Sequence, residues 1–315
     1  MSTASSTSPP VLVLVGPTAS GKTELLLRLF GPGRPAGLPE AVVVSADSMQ
    51  VYRGMDIGTA KPEAATLALL PHRLIDIREI SEQYTAGDFV RLADEACADI
   101  VASGKLPVVS GGTGFYLRNF LCGLPAAPAS EPALRAAVAA DLAALGAEAL
   151  RAELAARDPE SAGRIHRNDL YRLTRALEVL RATGRPLAEL AAPVLPRERW
   201  RFLLLGLERG RDELYGRIES RVDAMFAAGL AEEVGRLRAA GFGPEDPGMQ
   251  AIGYREFFEP GPGEGQAGLR GRIALDTRRY AKRQLTFFRA LPGIRWIPPE
   301  PEALEAELRA FLGAL

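Results

Sequence analysis

The chain has 315 residues, 47% hydrophobic and 24% charged, a composition that fits one large or two modest globular domains. Its formal net charge is −1, so any nucleic-acid binding must come from a local basic patch and not from the chain as a whole. Two cysteines in apolar helix-like surroundings, Cys97 and Cys122, argue against a disulfide framework or zinc site and fit core packing in a reducing cytoplasm. With no run of about 18 apolar residues, no membrane span is expected.

Met1 to Pro10 is rich in Ser, Thr and Pro, lacks the regions of a secretory signal, and reads as a disordered tail. Residues 11–15 read as a buried strand. Gly16-Pro17-Thr18-Ala19-Ser20-Gly21-Lys22-Thr23 follows, and residues 24–30 are helix-like. Strand, glycine-bounded loop ending in Gly-Lys-Thr, and helix together form the P-loop pattern. Gly16 and Gly21 permit backbone angles that a Cβ would block. Successive N–H groups at a helix N-terminus suit oxyanions, Lys22 adds a point charge, and Thr23 offers a hydroxyl to phosphate or its magnesium. The motif states that a polyphosphate binds, but not which one.

Further strands are expected at Ala41–Ser45, 72–77 and 106–110, with a helix over 87–103. Short apolar strands alternating with helices imply a P-loop NTPase-like parallel sheet flanked by helices. Ligands then bind at the carboxyl ends of the strands, where the P-loop, Asp47-Ser48 and Gly111-Gly112-Thr113 lie. Residues 125–132 read as a Pro/Ala-rich linker, and 133–190 as all helix. The division is therefore a P-loop core at 1–124 and 196–315 with an all-helical insertion domain at 125–195. Strand character returns at 200–207. Helices follow at 211–229, 231–240 and 269–291, with a flexible Gly/Pro loop at 259–265, then a last strand at 294–297 and a terminal helix.

Asp47 has three readings from its position: a magnesium holder, a base toward an attacking nucleophile, or a turn cap. The aperiodic stretch 48–62 reads as a functional loop, in which Gln50 suits base-edge hydrogen bonding and Tyr52 base stacking. Gly111-Gly112-Thr113 opens a helix and is a second candidate anion site. Two concentrations of positive charge stand out. Arg167, Arg172 and Arg175 form one, and Arg278, Arg279, Lys282, Arg283 and Arg289 the other, with Tyr280, Gln284, Phe287 and Phe288 between them.

Taken together, these segments resemble the tRNA dimethylallyltransferase (tRNA isopentenyltransferase) family. The resemblance rests on 16–23, on Asp-Ser-Met-Gln-Val-Tyr-Arg-Gly-Met-Asp-Ile-Gly-Thr-Ala-Lys-Pro at 47–62, and on Pro-His-Arg-Leu-Ile-Asp at 71–76. It continues through Gly-Gly-Thr-Gly-Phe-Tyr-Leu at 111–117, Asn168-Asp169 with Arg-Leu-Thr-Arg-Ala-Leu-Glu at 172–178, Met-Gln-Ala-Ile-Gly-Tyr-Arg-Glu at 249–256, and Tyr-Ala-Lys-Arg-Gln-Leu-Thr-Phe-Phe-Arg at 280–289.

The resemblance implies transfer of a dimethylallyl group from dimethylallyl diphosphate to the exocyclic amine of the adenosine 3′ of a tRNA anticodon, with magnesium as cofactor. It assigns the P-loop, Gly16 to Thr23, to the diphosphate, and Asp47, Thr23, Thr113 and Arg221 to catalysis, with Thr23 near the metal. It assigns tRNA contacts to Asp47, Ser48, Met49, Gln50, Thr113, Tyr171, Arg172, Arg175, Gln250, Gly253, Tyr254, Arg255, Lys282, Arg283, Gln284 and Arg289. The helical insertion would grip the anticodon stem-loop. Tyr171 stands where many relatives carry Gln. The lack of Cys/His pairs up to Leu315 points to a bacterial form without the eukaryotic zinc finger. No symmetric interface signal is visible, so a cytoplasmic monomer is the expectation. Two other readings are an adenylate isopentenyltransferase acting on a free nucleotide, and a P-loop kinase or ATP-driven RNA-binding protein.

Overall fold

Val11, Leu12, Val13, Leu14 and Val15 leave no polar face, so the strand they form has to be covered on both sides. In the computed structural model, which describes residues 8–128, 130–190, 193–259, 261 and 265–313, this strand lies inside a six-stranded sheet. The strands are β1 (Pro10–Val15), β2 (Ala41–Ser45), β3 (His72–Arg73), β4 (Leu106–Gly111), β5 (Arg201–Leu207) and β6 (Arg295–Ile297). Their order is β3-β2-β4-β1-β5-β6, with every pair parallel. Leu12 of β1 stands opposite Val108 of β4 and Leu203 of β5.

By contact, the chain divides into two compact units: Met1–Leu121 with Leu195–Leu315, and Cys122–Val194. The helices come in chain order as α1 (Lys22–Phe30), α2 (Ala64–Leu69), α3 (Ala86–Ala102) and α4 (Gly114–Cys122), then α5 (Pro132–Arg157), α6 (Pro159–Arg164) and α7 (Leu170–Thr183). After β5 come α8 (Arg211–Ala227), α9 (Leu230–Ala239), α10 (Gln266–Arg289) and α11 (Pro301–Gly313). Alternation along the strands decides which helix covers which face. Leu12 and Leu14 join Leu25 and Leu29 of α1 and Leu304 and Leu308 of α11 in one core cluster. On the opposite face, Phe120 of α4 meets Phe202 of β5 at 5.7 Å between centroids.

Helix ends follow local chemistry. Thr85 and Asp88 form a capping box at the start of α3. Asp158 caps α6, Asp169 caps α7, and Gly184, at φ 71°, ends α7. The 122–194 unit has its own core around Val138, Leu150, Leu154, Leu173, Leu177 and Leu180. Gly146, at φ 79° and ψ 169°, breaks α5 in two. Arg181 joins the pieces through Asp141 and Glu153, both at 2.6 Å, and this pairing raises the guanidinium pKa further.

Where the chain leaves the sheet unit and returns to it, Arg197 donates its N–H to Leu121 O at 2.7 Å and its fork to Asp94 at 2.7 and 2.9 Å. Trp200 Nε1 completes the set on Asp94 at 2.8 Å.

Two expectations need correction. The third strand covers only His72–Arg73 and not 72–77, because Leu74 (φ 64°) and Asp76 (φ 55°) turn left-handed and leave the ladder. Pro10 opens β1, and Pro9 O accepts from Arg201 N, so these two residues are not tail. Positions 1–7 of that tail, and 260 and 262–264 of the Gly/Pro loop, lie outside the described residues. The stretch 48–62, read as a functional loop, is anchored in the fold: Val51, Tyr52 and Met55 are buried. Cys97 and Cys122 are buried as expected, and burial pushes the Cys97 thiol up to about 12. Among the described residues, no helix is long and apolar enough to cross a membrane.

Candidate active site

The loop after β1 turns through two left-handed residues, Ala19 (φ 62°) and Gly21 (φ 91°). For Ala19 that conformation costs about 1–2 kcal/mol, so something has to hold it. Ser20 N closes a turn onto Pro17 O at 3.1 Å. Arg217 Nε takes Ala19 O at 2.8 Å, and Arg209 Nε takes Ser20 O at 2.7 Å. Among the described residues, the N–H groups of Gly21, Lys22 and Thr23 have no partner within the protein. They stand at the positive end of α1, an arrangement that receives oxyanions.

Lys22 Nζ donates to Gly16 O at 2.8 Å and Pro17 O at 3.1 Å. Desolvation lowers its pKa from 10.5 to about 8; Asp47 opposes the drop and Arg221 adds to it. Burial likewise lowers the Arg221 pKa, again opposed by Asp47. The site therefore sets two desolvated cations against one carboxylate, and an anion placed between the cations would restore their preference for charge.

The carboxyl ends of β2 and β4 come together beside this loop. Ala46 O accepts from Thr113 N at 3.1 Å, and a Cβ on Gly111 would lie 2.2 Å from Ala46 O, so only glycine permits the approach. Thr113 Oγ1 accepts from Ser48 N at 3.0 Å and lies 3.2 Å from Ser48 Oγ. Asp47 Oδ1 accepts from Met49 N at 2.9 Å and Gln50 N at 3.3 Å, so Asp47 does cap its turn. Among the described residues, its second oxygen has no hydrogen-bond partner and is left for another task.

A cavity of about 1070 Å³ joins these groups. It is lined by the P-loop from Thr18 onward, by Asp47, Ser48, Met49 and Gln50, by Gly111 and Gly112, and by Arg217 and Arg221 of α8. Gln250, Arg255, Tyr280, Arg283 and Gln284 complete it. Burial, with Asp47 nearby, holds the Tyr280 hydroxyl neutral, its pKa pushed up to about 12.

Some assigned contact residues are interior. Tyr52 is not free to stack on a base, since it is buried and its hydroxyl donates to Glu82 O at 3.1 Å. Gln50 lines the cavity, but its amide already serves Thr59 O, Ala60 O and Ser45 Oγ. Tyr254 and Gly253 are buried, and Gln284, which lines the cavity, has its amide engaged by Gly112 O and Thr18 N–H. Gln250 is exposed. Arg255 pairs with Glu256 and Asp276. Lys282, Arg283 and Arg289 are exposed on α10 and, among the described residues, form no ion pair; Arg283 lies over the Tyr280 ring at 5.8 Å.

In the 122–194 unit, Tyr171 is 81% exposed and the Arg172 side chain 72%. Arg175 is turned inward, to Pro128 O at 2.5 Å and Glu178 at 3.2 Å.

Sequence reasoning missed Arg209, Arg217 and Glu233. Arg217 had a usable signal, since it stands four residues before Arg221 on one helix and so shares its face. Glu233, on α9, accepts N–H groups from Asp56 and Ile57 at 3.1 Å and supports the Asp47 loop from below.

Comparison with known proteins agrees in fold and length. Residues 50–291 match the model of the IPP transferase family. A tRNA dimethylallyltransferase of Anaeromyxobacter sp. (strain Fw109-5) is 46% identical over 294 residues, covering 93% of this chain and 96% of the relative. One of Geobacter sulfurreducens is 42% identical over 321 residues, covering 96% and 97%.

Among solved structures, the full-length tRNA isopentenylpyrophosphate transferase of Bacillus halodurans aligns with a TM-score of 0.66 at 33% identity, over 98% of this chain and 97% of that one. A eukaryotic dimethylallyltransferase described as acting on tRNA aligns with a TM-score of 0.77 at 26% identity, over 96% and 78%. Identity of this order across nearly the whole length, on the same parallel sheet with its phosphate loop, places the chain in the IPP transferase family.

Proposed function

We propose that this protein transfers a dimethylallyl group from dimethylallyl diphosphate to the exocyclic N6 amine of the adenosine just 3′ of a tRNA anticodon, releasing pyrophosphate. The observation that carries the reading is the convergence of Lys22, Arg221 and Asp47 on one cavity, where desolvated cations face a carboxylate beside unpaired N–H groups. The names of the relatives support the same reading.

In the reaction, the adenine N6 lone pair forms a bond to C1 of the donor while the C1–O bond breaks. The electron pair leaves with pyrophosphate. Lys22, Arg221 and the N–H groups of Gly21, Lys22 and Thr23 stabilise that departing charge. Asp47, through its uncommitted oxygen, takes the N6 proton. Thr113, hydrogen-bonded to Ser48, holds the Asp47 turn next to the acceptor. An aromatic amine is a poor nucleophile, so positioning and leaving-group stabilisation supply most of the rate.

Magnesium fits the donors present. Among the described residues no cluster of three or more His, Cys, Asp or Glu could cage a metal, but magnesium bound through phosphates needs only one or two protein oxygens, and Thr23 offers a hydroxyl at the cavity. When bound, it would neutralise diphosphate charge.

Exposed Lys282, Arg283 and Arg289 on α10, and Tyr171 and Arg172 in the helical unit, are the proposed tRNA contacts. The target adenine must leave its stack to reach the cavity. The enzyme is proposed to act as a cytoplasmic monomer.

The test is nucleoside mass spectrometry of tRNA after incubation with dimethylallyl diphosphate, with parallel arms containing AMP and ATP. Dimethylallyl adenosine in tRNA alone is the expected result. Label on AMP alone would assign a free-nucleotide enzyme, and phosphate release from ATP a kinase or ATPase.

A further inference from the structure

Gln284 lies between exposed cations, Lys282 and Arg289, in a stretch that reads as an RNA contact, yet its residue is only 5% exposed. Both ends of its amide are used. Nε2 donates to Gly112 O at 2.8 Å, and Oε1 accepts from Thr18 N–H at 2.8 Å. One side chain of α10 thus ties the phosphate loop after β1 to the glycine turn after β4. The fit is close: a Cβ at Gly112 would stand 2.4 Å from Gln284 Nε2.

The tie belongs to a larger pattern. Thr18, Ala19 and Ser20 each have one backbone group held by a side chain from outside the loop: Gln284, Arg217 and Arg209 in turn. Ala19 sits at φ 62°, a conformation an alanine does not hold unaided. With these groups engaged outward, the N–H groups of Gly21, Lys22 and Thr23 remain for the ligand.

We propose that Gln284 is a positioning residue for the diphosphate cradle and not a contact to RNA. The inference rests on the diphosphate reading of the P-loop. A neutral amide is required because it accepts and donates on one planar group. Glutamate would still accept from Thr18 but would set an oxygen against Gly112 O. Leucine would remove both hydrogen bonds, leaving Thr18 N–H without its partner and Gly112 O with only the Tyr280 hydroxyl at 3.5 Å.

The test titrates magnesium pyrophosphate, and separately an anticodon stem-loop RNA, into the full-length wild-type protein and the Q284L, Q284E and K282A variants by calorimetry. Q284L and Q284E are expected to weaken pyrophosphate binding by about 10-fold or more, with RNA affinity within about twofold of wild type. K282A should do the reverse, weakening RNA and leaving pyrophosphate unchanged. A merely destabilising role would lower both affinities together.

A measurement on the wild-type protein needs no variant to fold. In amide hydrogen exchange, Thr18 should be protected without ligand, while Gly21, Lys22 and Thr23 gain protection only when pyrophosphate is added. Unaltered pyrophosphate affinity in Q284E and Q284L, RNA affinity lost with pyrophosphate affinity intact, or an unprotected Thr18 amide would each overturn the assignment. Wild-type protein that binds no pyrophosphate would overturn the diphosphate reading itself, so the two failures are distinguishable.

Discussion

The Tyr254 hydroxyl donates to Glu233 Oε1 at 2.5 Å, and around that bond the loop bearing Asp47 is fastened to the rest of the protein. Glu233 is 2% exposed and also accepts N–H groups from Asp56 and Ile57, at 3.1 Å each. A Cβ on Gly58 would fall 2.3 Å from the Tyr254 ring, so the loop lies flat on that ring only because residue 58 is glycine. Burial and the adjacent carboxylate hold the phenol neutral, its pKa well above the usual range. Replacing Glu233 with Gln turns an amide against donors and should cost about 1–3 kcal/mol. Thermal unfolding should then fall by roughly 2–4 °C per kcal/mol, and a melting temperature equal to wild type would show that the carboxylate is dispensable.

Asp47→Asn separates the cap from the base. Asparagine keeps an oxygen for Met49 N and Gln50 N, so the turn survives. Single-turnover transfer should drop about 10²-fold or more, while affinity for the anticodon stem-loop changes little. Transfer within about threefold of wild type would remove Asp47 from proton abstraction.

Lys22 titrates near pH 8, which gives two pH effects of opposite sign. The ammonium that attracts diphosphate is lost as pH rises through about 8, so KM for dimethylallyl diphosphate should rise there. Between about 8 and the ordinary 10.5, the folded state binds fewer protons at Lys22 than the unfolded state does, so this residue's contribution to stability increases with pH across that window. Lys22→Met should flatten both dependences, and denaturant melts beside KM profiles would reveal whether it does.

Arg221→Lys retains a charge but loses the planar fork. Because Arg221 faces the leaving group in the proposed reaction, kcat/KM should fall about 10²-fold, with RNA affinity preserved. Loss of RNA affinity with normal pyrophosphate binding would move Arg221 from leaving-group stabilisation to tRNA docking.

Exposed Arg289 is proposed to touch phosphate and not a base. Arg289→Ala should weaken stem-loop binding similarly across loop sequences and reduce the slope of log K against log salt by about one. Filter binding from low to moderate salt measures this, and an unchanged slope would exclude a phosphate contact there.

Much of the site could be read from the chain because its signals are local. Gly16, Gly21, Lys22 and Thr23 announce a phosphate loop through spacing alone, and β1, β2 and β4 through unbroken apolar runs. The burial of Tyr52, Tyr254 and Gln284 was not legible, because polar and aromatic side chains in irregular or basic segments look the same whether they face solvent or a neighbouring backbone. Burial settles that, and burial depends on what packs against them: Glu82 for Tyr52, Glu233 for Tyr254, and Gly112 with Thr18 for Gln284. The loss of strand after Arg73 was hidden for a related reason, since Leu74 and Asp76 adopt left-handed angles in a segment whose backbone pairs with Gln50 and Val51.

By itself, the sequence determined that a phosphate-loop motif follows the first strand, that the sheet would be parallel, and which family the chain resembles. These follow from residue type and short-range periodicity, which act within a turn or a strand. Only the tertiary structure decided that Arg209, Arg217 and Gln284 hold the loop from outside, and that Lys22 and Arg221 share one desolvated space with Asp47. Those relations join residues up to 266 positions apart, and the strength of a charge or hydrogen bond depends on how much water the fold leaves around it.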